Sequence, residues 1–297
     1  MNASVMRGLY RKMRNAVFSA STLISPTLNT KLRYKYLFKK PLDLKNPQTF
    51  NEKLLWLKLK KYNRDPLVIR CADKYLVRAY IKECGYEDIL VDLIGAWDTT
   101  EDIPWDELPD KFVLKWNFGA GMNIICKDKQ MFDRTEVVDQ MNQWRKNKCW
   151  LSHSEMQYKY ISKKIVCETY LEYSEGETIP DYKIYCFHGK PQAVLVMHNR
   201  GGKAMTTEFF DTQWNSLENS SKYASPSSVT PRPTCLEQML TVAETLSAPF
   251  PFVRCDFYVL GDEFYFGELT FTPAGGMYTS TTKIEGKDMT DFLHVPD

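Results

Sequence analysis

The chain has 297 residues, 43% of them hydrophobic and 26% charged, so it is long enough for one large domain or two ordinary ones. Its 7 Trp, 17 Tyr and 16 Phe exclude a mainly disordered chain, and its scattered cysteines exclude a small disulfide-bonded scaffold. The sequence contains no run of about 18 apolar residues, so no membrane-spanning helix is predicted.

The first 40 residues, which we call the basic head, contain nine basic and no acidic residues. The rest of the chain has 30 basic and 37 acidic residues, so the head carries +9 and the body −7. Such a head suits an anionic partner such as lipid headgroups, a polyanionic substrate or nucleic acid, and a solvated basic helix is an equal alternative. Because the body is acidic and has no nucleic-acid-binding motif, we predict peripheral membrane contact through residues 1–40 and no nucleic-acid partner.

Residues 16–24 imitate the apolar segment of a signal peptide, but two serines and a threonine weaken the resemblance. A mitochondrial transit peptide is the alternative for such a basic, acid-free segment. The eight cysteines form no CxxC pair and lie mostly in apolar runs, which is typical of reduced core cysteines. We therefore expect a cytoplasmic protein, with the basic head favouring the inner face of the membrane.

Helix signals dominate residues 45–110. Thr49 and Glu52 have the spacing of a capping box, and an apolar face follows them. A second helix is predicted from Pro66, with Gly85 as its stop signal.

From residue 111 the pattern changes to short β-like runs joined by tight turns, without a regular βαβ alternation. This pattern predicts an α+β fold with antiparallel hairpins. The predicted strands are 111–117, 122–126, 164–171, 182–187, 192–197, 252–260 and 264–271, and the predicted helices are 134–148 and 233–247.

The last predicted hairpin carries the most informative polar residues. Alternation places Arg254 and Asp256 on one face of the first strand, and Glu268 and Thr270 on one face of the second. A three-residue turn at 261–263 would place the two carboxylates opposite each other, where they repel unless a divalent cation lies between them. Mg²⁺ binds one or two carboxylates together with phosphate oxygens, so the hairpin predicts a metal–nucleotide site. The alternative is that the two acids are solvated on an outward face. The adjacent Arg254, which is suited to phosphate, favours the metal–nucleotide site over this alternative.

Two further motifs point to phosphate and nucleotide binding. Lys115 precedes a glycine turn with Gly119 and Gly121, where backbone N–H groups and a lysine charge suit phosphate, although an ordinary hairpin has the same pattern. The strand 164–171 ends in a polar stretch around Glu168, which by itself predicts only a polar strand end.

The order of these motifs along the chain resembles the ATP-grasp superfamily. In detail the chain is similar to the TupA-like (teichuronopeptide-biosynthesis type) branch, which occurs among polysaccharide-biosynthesis proteins. The resemblance covers roughly residues 45–277, and the order and spacing of its motifs argue against agreement by chance. The stretches that carry it are NPQTFNEKLLWLK (46–58), ADKYLVRAYI (72–81), KFVLKWNFGAGMNIIC (111–126), PDYKIYCFHGKP (180–191) and RCDFYVLGDEFYFGELTFTPAGGM (254–277).

The resemblance implies an α+β ATP-grasp fold in which two α+β subdomains sandwich ATP, after a short helical N-terminal region. The implied division is a basic helical segment at 1–44, a helical region at 45–110 and the ATP-grasp core at 111–297. Within the core, the nucleotide-clamping subdomain is expected at about 111–172 and the catalytic, metal-binding subdomain at about 173–297.

The resemblance also implies roles for individual residues, with ATP and Mg²⁺ as cofactors. The residues implied in nucleotide contact are Lys74, Lys115, Gly119, Gly121, Glu168, Thr169 and Leu171. The implied metal ligands are Asp256, Glu268 and Thr270, the last at a position where the family commonly has asparagine. Arg254 is expected to face the transferred phosphate, and Lys183 and Arg200 to bind a carboxylate substrate or phosphate, with a solvated strand face as the alternative for these two.

The implied activity is that of an ATP-dependent carboxylate–amine ligase that acts through an acyl phosphate. Its expected partners are a carboxylate acceptor on a sugar or glycan intermediate, for instance a uronic acid, and an amine donor, in the biosynthesis of cell-surface or capsule polysaccharide. One alternative is a glycosyltransferase or sugar kinase of the same process, although no isolated DxD triplet supports a nucleotide-sugar site. The other alternative is a non-catalytic protein that binds the membrane surface.

Overall fold

The computed structural model describes residues 3–173, 178–199, 205–218, 225–226, 229–279, 282–284 and 286–296. The N-terminal region is helical, as predicted. Its helices are α1 (Ala3–Ile24), α2 (Pro26–Phe38), α3 (Phe50–Lys60), α4 (Pro66–Ala72) and α5 (Val77–Glu83). The capping box of Thr49 and Glu52 is confirmed at the start of α3.

The single helix predicted from Pro66 to Gly85 is wrong, because α4 and α5 are separated at Asp73. The Asp73 carboxylate accepts hydrogen bonds from the backbone N–H groups of Tyr75 (2.8 Å) and Leu76 (3.2 Å), and its own backbone is extended, with ψ of 115°. A local side-chain to backbone turn of this kind competes with helix continuation. As a result Lys74 lies in a turn rather than inside a helix.

The first sheet contains four antiparallel strands in the order β1-β4-β2-β3. These strands are β1 (Leu93–Trp97), β2 (Phe112–Trp116), β3 (Asn123–Cys126) and β4 (Ile165–Thr169), with helices α6 (Arg134–Arg145) and α7 (Trp150–His153) between β3 and β4. The strand β1 was not predicted, since it lies within the region expected to be helical. It pairs along β4 and completes one edge of the sheet.

The second sheet contains six antiparallel strands in the order β10-β9-β5-β6-β7-β8. Its strands are β5 (Asp181–Phe187), β6 (Lys190–His198), β7 (Thr206–Phe210), β8 (Ser216–Leu217), β9 (Phe252–Leu260) and β10 (Glu263–Thr270). Helix α8 (Leu236–Ser247) packs on one face, against β5, β6 and β9. A ribbon of β11 (Lys283–Ile284) and β12 (Lys287–Asp288) and the short helix α9 (Met289–Phe292) follow. The two sheets confirm the predicted α+β class.

The core is apolar and its cysteines are reduced. Alternate residues of β9, namely Val253, Cys255 and Phe257, are fully buried on the side of α8, while the residues between them face the other side of the sheet. All eight cysteines are free and six are buried, which confirms the prediction that they form no disulfide bonds.

The β9–β10 hairpin has the register predicted for the two acidic residues, but it reaches this register in a different way. The turn contains two residues, because Glu263 pairs with Leu260, and a bulge then places Glu268 opposite Asp256. The residue within the bulge is Gly267, where a Cβ atom would lie 3.0 Å from the carbonyl oxygen of Asp256. Glycine therefore permits the close backbone approach that sets the register at the acidic pair.

The basic head is partly packed on the body. Thr22 Oγ1 donates a hydrogen bond of 2.7 Å to the carbonyl oxygen of Leu151, and Asn29 Nδ2 lies 3.4 Å from that of Ser152. Arg33 also approaches His153 Nε2 at 3.4 Å. None of the described helices is long and apolar enough to cross a bilayer.

Acidification is expected to destabilise the protein through His153. Burial, followed by the charges of Arg33 and Lys58, lowers the pKa of His153 from 6.5 to about 4. Between these values the unfolded chain binds a proton that the folded chain does not, so stability decreases as the pH falls, by up to about 3 kcal/mol. Urea unfolding of the wild type and of His153→Gln on both sides of this window measures the effect. The variant should lose less stability on acidification, and equal losses would contradict the assignment.

Candidate nucleotide site

A cavity of about 480 Å³ has walls from both large sheets. Strands β2 and β3 and the end of β4 contribute one side, and β5, β9 and β10 contribute the other. Its volume is that of an ordinary small-molecule site. Eight of the predicted site residues line it: Lys74, Lys115, Gly121, Glu168, Thr169, Leu171, Asp256 and Glu268.

Glu168 organises the basic side of the cavity. Because β4 pairs with β2, Glu168 lies opposite Val113, and Lys115 follows two residues later on the same face. One carboxylate oxygen of Glu168 accepts from Lys115 Nζ at 2.5 Å and the other from Arg78 Nη1 at 3.1 Å. The resemblance implied a nucleotide contact for Glu168, and in the structure its side chain forms ion pairs with two cations of the cavity wall.

The glycine turn is connected directly to Lys74. The Lys74 backbone N–H donates to the carbonyl of Asn117 at 3.0 Å, and its Nζ donates to the carbonyl of Gly119 at 2.6 Å. Gly119 and Gly121 have φ of 66° and 73°, a region that favours glycine. Gly121 lines the cavity and Gly119 does not. Desolvation lowers the pKa of Lys74, and the nearby Glu268 opposes this shift.

Asp256 is the centre of a buried ion cluster, which we call the Asp256 cluster. Its Oδ1 accepts from Arg254 Nε at 2.6 Å, while its Oδ2 accepts from Arg254 Nη2 at 2.6 Å and from Lys183 Nζ at 2.8 Å. Lys183 stands directly opposite Asp256 in the β5–β9 pairing and also lies 3.4 Å from Asp181. Although burial raises the pKa of Asp256, Arg254 and Lys183 outweigh it and hold this pKa below its ordinary value.

The acidic pair is suited to a magnesium ion that also contacts phosphate. No hydrogen-bond donor of a described residue reaches the Glu268 carboxylate, which faces the cavity opposite Asp256. The Asp256 carboxylate already accepts three hydrogen bonds, which leaves about one of its four lone-pair positions free. Among the described residues no three His, Cys, Asp or Glu side chains form a metal-binding group. Mg²⁺ does not need such a group, since one or two carboxylates and phosphate oxygens suffice.

The remaining predicted site residues have mixed positions. Arg254 and Lys183 contact Asp256 without lining the cavity, and Thr270 Oγ1 accepts a hydrogen bond of 3.3 Å from Arg254 Nη2. Arg200 lies outside the described residues.

Three charged residues of the cavity wall were missed in the sequence, namely Arg78, Lys127 and Asp181. Arg78 lies four residues after Lys74, within a stretch that carries the family resemblance, but its partner Glu168 is 90 residues away in the chain. Asp181 precedes Lys183 by two residues, so strand alternation already placed the two side chains on one face. That alternation is the signal from which Asp181 could have been predicted as a residue of the site.

Comparison with known families identifies the fold around this cavity. A family model described as TupA-like ATPgrasp matches residues 52–291. The chain belongs to the TupA-like ATP-grasp family. The predicted family and fold are thereby confirmed, and the TupA-like match extends from α3 to α9 and includes every residue of the cavity wall.

Solved structures similar to this TupA-like protein include ligases. A D-alanine–D-alanine ligase from Bacillus anthracis has 18% identity and a TM-score of 0.41 over 68% of this chain and 57% of its own. The same enzyme complexed with ATP has 16% identity and a TM-score of 0.41, over 68% and 55%. The Helicobacter pylori ligase has 14% identity and a TM-score of 0.40, over 78% and 62%. The chain thus spans less than two thirds of the length of these structures. A search of curated proteins found no match.

Proposed function

We propose that this protein is an ATP-dependent carboxylate–amine ligase. The observation that carries the proposal is the cavity between the two sheets, in which a group of cations faces the acidic pair Asp256 and Glu268. Membership in the TupA-like ATP-grasp family supports ATP as the nucleotide.

The cavity offers separate places for phosphate and metal. Lys74 and Lys115 on its wall are suited to the phosphates of ATP, and Glu268 together with the free position of Asp256 is suited to Mg²⁺. ATP supplies the phosphoryl group, and Mg²⁺ neutralises part of its charge when bound. The chain's own contribution is to position the reactants and to present fixed charges where negative charge develops.

The proposed reaction has two steps. An oxygen of the substrate carboxylate attacks the γ-phosphorus of ATP, and the bond from this phosphorus to the oxygen of the β-phosphate breaks. The products of this step are ADP and an acyl phosphate. The amine then attacks the acyl carbon, the carbon–oxygen bond to phosphate breaks, and an amide, inorganic phosphate and a proton are released.

The family supports a polysaccharide setting for the substrates. We propose as acceptor a uronic acid or similar carboxylate on a sugar or glycan intermediate, with an amine donor, during cell-surface polysaccharide biosynthesis in the cytoplasm. The acceptor carboxylate is expected to enter the same cavity, where Lys74, Arg78 and Lys115 on the wall offer positive charge.

The test is the dependence of phosphate release on each substrate. With MgATP, phosphate should be released only when a uronic acid and an amine are both present, and mass spectrometry should find the amide. Phosphorylated sugar as the final product without amine would indicate a sugar kinase, and no nucleotide turnover or binding at all would contradict the ligase.

Replacing Lys115 by alanine is expected to weaken ATP binding by about 1.5–3 kcal/mol, because a charged hydrogen bond to phosphate is lost. Titration calorimetry with ATP measures this change. The matched control is Lys111→Ala. It also removes a lysine from an ion pair with a glutamate, Glu172, but this pair is exposed and lies outside the cavity. Equal ATP affinity of Lys115→Ala and the wild type would exclude the phosphate role.

A further inference from the structure

Helix α1 presents a continuous apolar face to solvent. A helical period of 100° per residue places Val5, Leu9, Met13 and Val17 on one side of the helix, with further apolar residues beside them. Its exposed large apolar side chains, each 49–78% accessible, are Val5, Met6, Leu9, Tyr10, Met13, Val17, Leu23 and Ile24.

The opposite side of α1 contacts the body of the protein. There Phe18, Ser21 and Thr22 are only 7%, 5% and 2% exposed, and Thr22 bonds to the carbonyl of Leu151 in α7. An ordinary surface helix buries its apolar stripe and exposes its polar side. In α1 the apolar stripe is outermost, so the packing of the protein itself leaves this face without a partner among the described residues.

Basic residues flank the apolar face. Lys12 and Arg7 are exposed at its two edges, Arg11 is exposed on the opposite side of α1 in line with Phe18, and Lys31 and Lys35 are exposed on α2. The basic head has no acidic residue, so the α1 helices of two copies would bring like charges together. An anionic lipid surface complements both the apolar face and its basic border.

We propose that α1 lies in the plane of an anionic lipid bilayer. Its apolar face enters the boundary between headgroups and acyl chains, and its basic border contacts the lipid phosphates. This inference is independent of the ligase reaction, since it uses no residue of the cavity. It gives the enzyme access to an acceptor held at the membrane.

Co-sedimentation of the full chain with vesicles tests the proposal. The wild type should bind vesicles of phosphatidylcholine and phosphatidylglycerol more tightly than vesicles of phosphatidylcholine alone, and high salt should weaken the binding. Met13→Asp should bind the anionic vesicles at least about tenfold more weakly, because a methionine no longer enters the lipid. The matched control is Met131→Asp, at a methionine that is 84% exposed outside the basic head, and it should bind like the wild type.

The charge contribution is tested by Arg7→Gln with Lys12→Gln. At about 1 kcal/mol for each basic residue near the surface, the double variant should bind about 30-fold more weakly. The proposal is overturned if the wild type does not bind anionic vesicles at low salt, or if Met131→Asp weakens binding as much as Met13→Asp. It is also overturned if sedimentation shows a dimer that Met13→Asp dissociates while vesicle binding is unchanged. ATP turnover on soluble substrates should be the same in all these variants. If the ligase assay fails, the vesicle-binding result still decides the membrane proposal.

Discussion

Replacing Asp256 by asparagine is expected to lower the free energy of unfolding by about 3–5 kcal/mol, because buried Arg254 loses its counter-charge and buried Lys183 keeps only the more distant Asp181. The side chains of Asp256 and Lys183 are each 3% exposed and that of Arg254 is 12% exposed. Asparagine retains the shape and one acceptor oxygen, but it removes the negative charge that three hydrogen bonds from the two cations share. Urea unfolding of wild type and variant measures the loss.

A second substitution separates this charge effect from a simple packing defect. Adding Lys183→Met to Asp256→Asn removes one of the two cations that Asp256 neutralises, so the double variant should regain part of the lost stability. If the two substitutions destabilise additively, the ion cluster is not the reason for the loss. A thermal unfolding midpoint of Asp256→Asn equal to that of the wild type would also contradict the prediction. Any loss of ATP turnover in Asp256→Asn must therefore be compared with its folded fraction.

Glu268→Gln is expected to reduce MgATP-dependent phosphate release about 100-fold or more, without a change in the unfolding midpoint. Glu268 faces the cavity opposite Asp256, and no described residue donates a hydrogen bond to it, so the substitution breaks no hydrogen bond among the described residues. Glutamine has nearly the same size but binds Mg²⁺ much more weakly than a carboxylate. A steady-state assay over a range of Mg²⁺ concentrations measures the loss and its partial recovery at high Mg²⁺.

The matched control is Glu263→Gln on the same strand. Glu263 is exposed, accepts a hydrogen bond of 2.9 Å from the Tyr265 hydroxyl and does not line the cavity. The Glu263→Gln variant should therefore retain wild-type turnover. Turnover of Glu268→Gln at the wild-type rate would exclude Glu268 as a metal ligand, while equal losses in both variants would indicate a general effect of removing charge from β10.

Several local features were predictable from the sequence because nearby residues determine them. The capping box of Thr49 and Glu52 uses residues three positions apart, and strand alternation placed Arg254 with Asp256. The facing of Asp256 and Glu268 was also predicted, although through a three-residue turn. The structure instead combines a two-residue turn with a bulge at Gly267, which has the same effect on register. Only the close contact with the Asp256 backbone shows why this glycine is needed.

The ion pairs of the site were decided by tertiary structure alone. Lys183 and Asp256 are 73 residues apart, and Arg78 and Glu168 are 90 residues apart, so no local periodicity relates them. Pairing of β5 with β9 joins the first two residues, and packing beside β4 joins the others.

The charge and amphipathic pattern of α1 were visible in the sequence, but which face would be buried was not. Burial of Phe18 and Thr22 against the body leaves the apolar side outermost, because hydrogen bonds to α7 orient the helix and hydrophobicity alone does not.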